Sequence, residues 1–236
     1  MSKKFVIYLL FVLGIAGIAK IGNCSPLQLS IFDPVQIVQN DQSVTGVRLG
    51  LLYTVNTDVS GFSLTFPGID RVTGNFNGLE VGLINWVGGD FHGDQAGIIN
   101  HAANRFVGFQ HGLVNVTGGD FSGMQDGFVN WSEGFMHGWQ LGLFNYTKAG
   151  FAGLQTGFWN VASGDSAGME LGAINYVDGS FGGFQCGLVN YAADMKGFQL
   201  GLINVAKSLN GLQIGLGNYN GDKEPFEFLP LVNWSF

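Results

Sequence analysis

The chain has 236 residues, 39 of them glycine, with 11% charged and 14% aromatic, a balance foreign to globular α/β enzymes. Its formal charge is -7, and loss of a leader carrying Lys3, Lys4 and Lys20 takes this to -10 (-7 minus 3). The seven basic residues then left of the ten are scattered, which excludes nucleic acid as a partner, because phosphate binding needs clustered Lys or Arg.

Lys3 and Lys4 precede an apolar run from Phe5 to Ala19. Such a run is short for a helical membrane span and suits a signal-peptide core, so residues 1–23 read as a secretory leader, with cleavage after Ala19 meeting the small-residue rule. An N-terminal anchor helix is the other expectation for this stretch. Cys24 offers a lipid-modified mature N-terminus as a further route, although Asn23 before it is atypical. Cys186 lies in a variable slot of the repeat described below, and two cysteines make no disulfide framework.

Residues 24–73 read as an N-terminal cap with degenerate repeats. Pro26 to Asn40 alternates apolar and polar residues around Leu27, Leu29, Ile31, Val35 and Ile37, which predicts one or two strands with Pro34 at a bend. Gly46-Val-Arg-Leu starts a degenerate copy of the repeat with Tyr53 in the slot that asparagine fills later, and Gly61-Phe-Ser-Leu starts another.

Residues 74–222 hold the regular array. Glycines from Gly78 to Gly183 stand fifteen apart, and Gly197 and Gly211 follow at intervals of fourteen. Seven residues after each comes an asparagine: Asn85, Asn100, Asn115, Asn130, Asn145, Asn160, Asn175, Asn190, Asn204 and Asn218. Gln or Glu recurs two after the glycine, from Glu80 and Gln95 through Glu170 to Gln213, and a second glycine recurs four after it. Residues 223–236 lack the glycines but keep Leu231-Val-Asn-Trp234, and read as a C-terminal cap strand.

No helical spacing of apolar positions runs long enough for a helix, so each copy is strand and turn. The predicted fold is all-β, a repeat β-solenoid of 15-residue coils. Equivalent residues then stack about 4.8 Å apart, and the asparagines form a hydrogen-bonded ladder that also suits a corner. Phe76, Phe91, Phe106, Phe121, Phe151 and Phe181 stack likewise. The alternative is an up-and-down outer-membrane β-barrel. It is disfavoured by polar residues such as His111 and Asp126 at a position that should face lipid, and by connections that do not alternate long and short. The terminal Trp234-Ser-Phe236 speaks for it.

Candidate chemistry is sparse. His92, His101, His111 and His137 sit at different phases, and in a coil His92 and His137 are roughly 14 Å apart, too far to share a metal. Asp90, Asp120 and Asp165 share a corner phase without the G-G-x-G-x-D spacing of calcium repeats, and read as turn carboxylates. No nucleophile elbow or phosphate loop is present. The expectation is a protein that is not an enzyme and has no cofactor or metal. Trp86, Trp131, Tyr146, Tyr176, Tyr191 and Tyr219 are possible binding aromatics if they face outward. Burial in the core is the commoner fate of such residues.

Pro26-Leu-Gln-Leu-Ser30, Gly46-Val-Arg-Leu, the G-Φ-Q-x-G-L-Φ-N copies and Phe228-Leu-Pro-Leu-Val-Asn233 together resemble bacterial exported surface-repeat proteins of the leptospiral type. The resemblance covers nearly the whole chain after the leader and implies a secreted or surface-exposed repeat protein, with no ligand residue to carry over. Ala173, Ser166 and Gly217 depart from the pattern as single weak coils. The function expected is exported and surface-associated, with a structural, adhesive or binding role toward a glycan, a protein or the outer membrane. A porin or channel is the alternative that goes with the barrel.

Overall fold

The computed structural model describes residues 24–236; the expected leader lies outside the described residues. The described residues fall into two compact units, 24–98 and Ile99–Phe236. The described part of each is all-β, a stack of parallel coils.

The first unit contains β1 (Cys24–Phe32), β2 (Val35–Gln36), β3 (Ser43–Gly50), β4 (Tyr53–Asn56), β5 (Val59–Val72), β6 (Phe76–Val87) and β7 (Phe91–Ala96). At the Pro34 bend β2 folds back antiparallel on β1. After it the pairing is parallel: β1 with β3, β3 and β4 with β5, β5 with β6, and β6 with β7. The second unit contains β8 (Ile99–Ala102), β9 (Phe106–Thr117), β10 (Phe121–Ser132), β11 (Met136–Leu141), β12 (Phe144–Thr147), β13 (Phe151–Ala162), β14 (Ser166–Asn220) and β15 (Phe228–Ser235). Here the register sets like on like, with Phe121 opposite Phe106, Gln125 opposite Gln110 and Asn130 opposite Asn115. The same register runs on through β11, β12, β13 and the start of β14.

Parallel neighbours overturn the barrel alternative, because an up-and-down barrel pairs consecutive strands antiparallel. Two slot assignments also change. Thr54 and not Tyr53 stands in the asparagine column, opposite Asp70, which stands opposite Asn85. The coil after Gly61 takes up two extra residues in a register shift between Thr65 and Ile69, which accounts for the seventeen-residue interval to Gly78. In the tail, β15 runs antiparallel along the last coil, so Asn233 faces Gln213 and does not extend the asparagine column.

Four side chains per coil point inward, as Phe121, Gln125, Asn130 and Ser132 do in β10, all buried. The phenylalanines stack along the core, with Phe106 and Phe121 at 5.1 Å and Phe76 and Phe91 at 5.0 Å. At the weak coil Ser166 is too small to fill its slot, and Phe151 and Phe181 come within 6.1 Å of each other. The first glycine of the repeat is dictated by backbone. Gly123 has φ 140°, and a Cβ there would collide with the carbonyl oxygen of Gly108. Gly123→Ala is expected to destabilise the second unit by about 1–3 kcal/mol or more, measurable by urea unfolding.

Candidate functional site

Asparagine at this slot serves the interior because its amide satisfies two acceptors at once. Asn115 Nδ2 donates to Asp126 O and to Asn130 Oδ1, both at 2.9 Å, and Asn130 does the same to Leu141 O and Asn145 Oδ1. The column continues to Asn204, which donates to Asn218 Oδ1 at 2.8 Å. The glutamine column runs the opposite way: Gln125 Nε2 donates back to Gln110 Oε1 at 2.8 Å and Gln140 to Gln125 at 2.7 Å. The second glycine of the repeat makes room for the ladder, since a Cβ at Gly127 would lie 2.6 Å from Asn115 Nδ2. Asn130→Ala and Asn145→Ala are each expected to cost about 1–3 kcal/mol, because each strands buried partners. The double variant should cost less than the sum, because the two share a hydrogen bond; urea unfolding of all three variants is the measurement.

The columns carry ionisable residues at two places. In the second unit Glu170 occupies a glutamine position. It accepts from Gln185 Nε2 at 2.6 Å but has no amide to give back, and both Gln155 Oε1 and Glu170 Oε1 are buried without a partner. Burial pushes the Glu170 carboxyl up to about 8, against the Gln185 hydrogen bond. In the first unit Arg48 is fully buried. It pairs with Asp70 through Nη2, donates from Nε to Ser63 Oγ at 2.9 Å, and lies 3.8 Å from Glu80 Oε1. Burial and then the Asp70 charge hold the Glu80 carboxyl well above the carboxylate range, against Arg48. None of these groups is open to a substrate.

Since asparagine faces in, the residue after it faces out. Trp86, Trp131, Tyr176 and Tyr219 are exposed, and Tyr146 and Tyr191 half-buried, so the aromatics are surface and not core. Within the second unit Trp131 stacks near Tyr146 at 4.0 Å and Tyr176 on Tyr191 at 4.7 Å, while Val116, Val161 and Val205 interrupt the column. Trp131 Nε1 donates to Glu133 at 2.6 Å, and Lys148 Nζ does so at 2.9 Å. Lys148, and then Trp131, hold the Glu133 carboxyl below its usual range.

Asp120 and Asp165 accept the amides of Phe135 and Ser180 in the following turn, at 2.8 and 2.9 Å. His92 and His137 are exposed, His101 and His111 half-buried, and among the described residues no group of three His, Cys, Asp or Glu is placed to hold a metal. One outward feature was not singled out from the sequence: the Leu-Φ pair between the second glycine and the asparagine faces solvent. Its signal was parity, counted from the glutamine for the first residue of the pair and from the asparagine for the second, as Phe128 and Val129 stand to Gln125 and Asn130.

Fold and surface together define a β-solenoid repeat protein with an amide-laddered interior and an aromatic and aliphatic exterior. No family model, curated protein or solved structure matches the chain.

Proposed function

We propose that the chain is an exported, surface-associated repeat protein with a structural or adhesive binding role and no catalysis. The observation that carries this is the outward column of Trp and Tyr on a rigid, regularly spaced scaffold: such rings offer large contact area at little conformational cost. The basic and then apolar start of the chain supports export. On intact cells producing the full chain, added protease is expected to digest the protein while sparing a cytoplasmic control, and N-terminal sequencing should place the mature start between Lys20 and Cys24. Complete protection until lysis would sink the proposal.

A further inference from the structure

We propose that the second unit lies on a lipid surface through the edge formed by the second glycine and the two residues after it. Leu113, Phe128, Phe158, Leu188, Leu202 and Leu216 occupy the first position after that glycine and are exposed by 60%, 54%, 47%, 54%, 49% and 68%. They share one column, in which the half-buried Leu143 and Ala173 fill the coils between Phe128 and Phe158 and between Phe158 and Leu188; the hydrogen bonds from Leu143 N to Phe128 O and from Phe158 N to Leu143 O join its coils. Beside them Phe144 packs on Trp159 at 4.6 Å, and Phe158 meets Trp159 edge-on at 4.7 Å. Half-exposed side chains of this size leave roughly 100 Å² each in water, so the row reaches the several hundred Å² that marks a functional apolar patch.

The order of residue types around the coil selects lipid as the occupant. From Gly112 to Gly217 this edge holds no Asp, Glu, Lys or Arg. Along one arm of the coil, past the inward asparagine, come Trp131, Tyr146, Tyr176, Tyr191 and Tyr219. Next come the turns, which hold Asp120, Glu133, Lys148, Asp165, Asp178, Asp194 and Lys207. The other charges in this stretch are Lys196 beside a turn, Asp126 on the opposite arm, and the buried Glu170. Aliphatic edge, Trp and Tyr flank, charged corner: this is the sequence of chemistries from hydrocarbon through headgroups to water. An amphipathic element that lies in the interface has the same order, its apolar side sunk about 5–10 Å. A second copy of the chain would cover the apolar edge but would not call for the graded flank. Because the edge is uncharged and the chain acidic, attachment is to the apolar part of the bilayer and insensitive to salt.

The test is flotation of the chain from Cys24 onward, which omits the apolar run Phe5–Ala19, with neutral phosphatidylcholine vesicles at low and high salt. The chain is expected to float at both, with brominated lipid quenching its tryptophan fluorescence. The variant Leu113→Glu, Phe128→Glu, Phe158→Glu, Leu188→Glu should lose at least tenfold in bound fraction while keeping its far-ultraviolet circular dichroism. Lys196→Gln, beside a turn, should float as the parent does. A parent chain that stays with the aqueous fraction overturns the proposal. So does one that binds only charged vesicles at low salt. A parent chain that oligomerises without binding vesicles, and becomes monomeric in the fourfold variant, assigns the edge to a second copy instead. Protease accessibility on cells tests location and fails independently of these outcomes.

Discussion

Replacing Arg48 by alanine is expected to destabilise the first unit by about 3–5 kcal/mol, the cost of removing one partner of a fully buried ion pair. Arg48 is the only cation among Asp70, Glu80 and Ser63 in that cluster, and its guanidinium is shared between Asp70, the Ser63 hydroxyl and the Arg71 carbonyl. Without it Asp70 keeps the Ser63 and Thr65 hydroxyls as donors but loses its counter-charge in a place that water does not reach. Removing the charge from both partners should behave differently. Arg48→Met with Asp70→Asn is expected to recover most of the loss, because a neutral pair of similar volume avoids the desolvation cost of buried charges. Urea unfolding followed by circular dichroism compares the three proteins. An Arg48→Ala chain as stable as the parent would mean that the cluster is hydrated.

The coil and its asparagine column were legible because both rest on strict recurrence. A slot filled in ten successive copies is satisfied only if each asparagine meets its neighbour, and Asn115 to Asn218 do so. The slots of the first two copies were not legible, because the extra residues sit between the second glycine and the asparagine position, where Leu51-Leu52 and Phe66-Pro67 offer nothing to count by. The facing of the aromatics was also hidden. Leu, Phe, Trp and Tyr occur at both parities of the repeat, so hydrophobicity does not choose a side. What chooses is hydrogen bonding: the amides of Gln125 and Asn130 find partners only along the stack, and once they turn inward Phe128 and Trp131 are left outside. The Arg48 cluster was hidden by residue type and not by position: Arg48, Ser63 and Glu80 stand two after Gly46, Gly61 and Gly78, in the slot that glutamine fills later, but three different side chains there do not read as a column.

The Glu170→Gln variant is expected to be more stable than the parent at pH 7, by on the order of 3 kcal/mol, and to have lost much of the parent's dependence on pH. The folded Glu170 carboxyl stands at about 8, against 4.5 as the ordinary value. Between these values the folded chain holds a proton that the unfolded chain has released. Stability from this group is therefore complete below about pH 4.5, falls by about 1.4 kcal/mol per pH unit, and is gone above about pH 8. The geometry gives the proton a place. Gln140, Gln185 and Gln199 each donate one way along the column, and Gln155 Oε1, opposite Glu170 and unpartnered, is the acceptor that a protonated Glu170 would serve. Glutamine at 170 supplies that donor permanently as Nε2–H. Hydrogen exchange of the amides near Gln155 and Gln185 between pH 5 and pH 9 reads the effect locally. Faster opening with rising pH in the parent, beyond the intrinsic exchange rate, and a flat profile in Glu170→Gln are the expected pair of results. Buried Glu80, raised in the same direction, lies in the first unit and leaves its own dependence there, so the second unit alone should flatten. Identical profiles for the parent and Glu170→Gln in those coils would mean that Glu170 is ionised in the fold and that the column is interrupted at that rung.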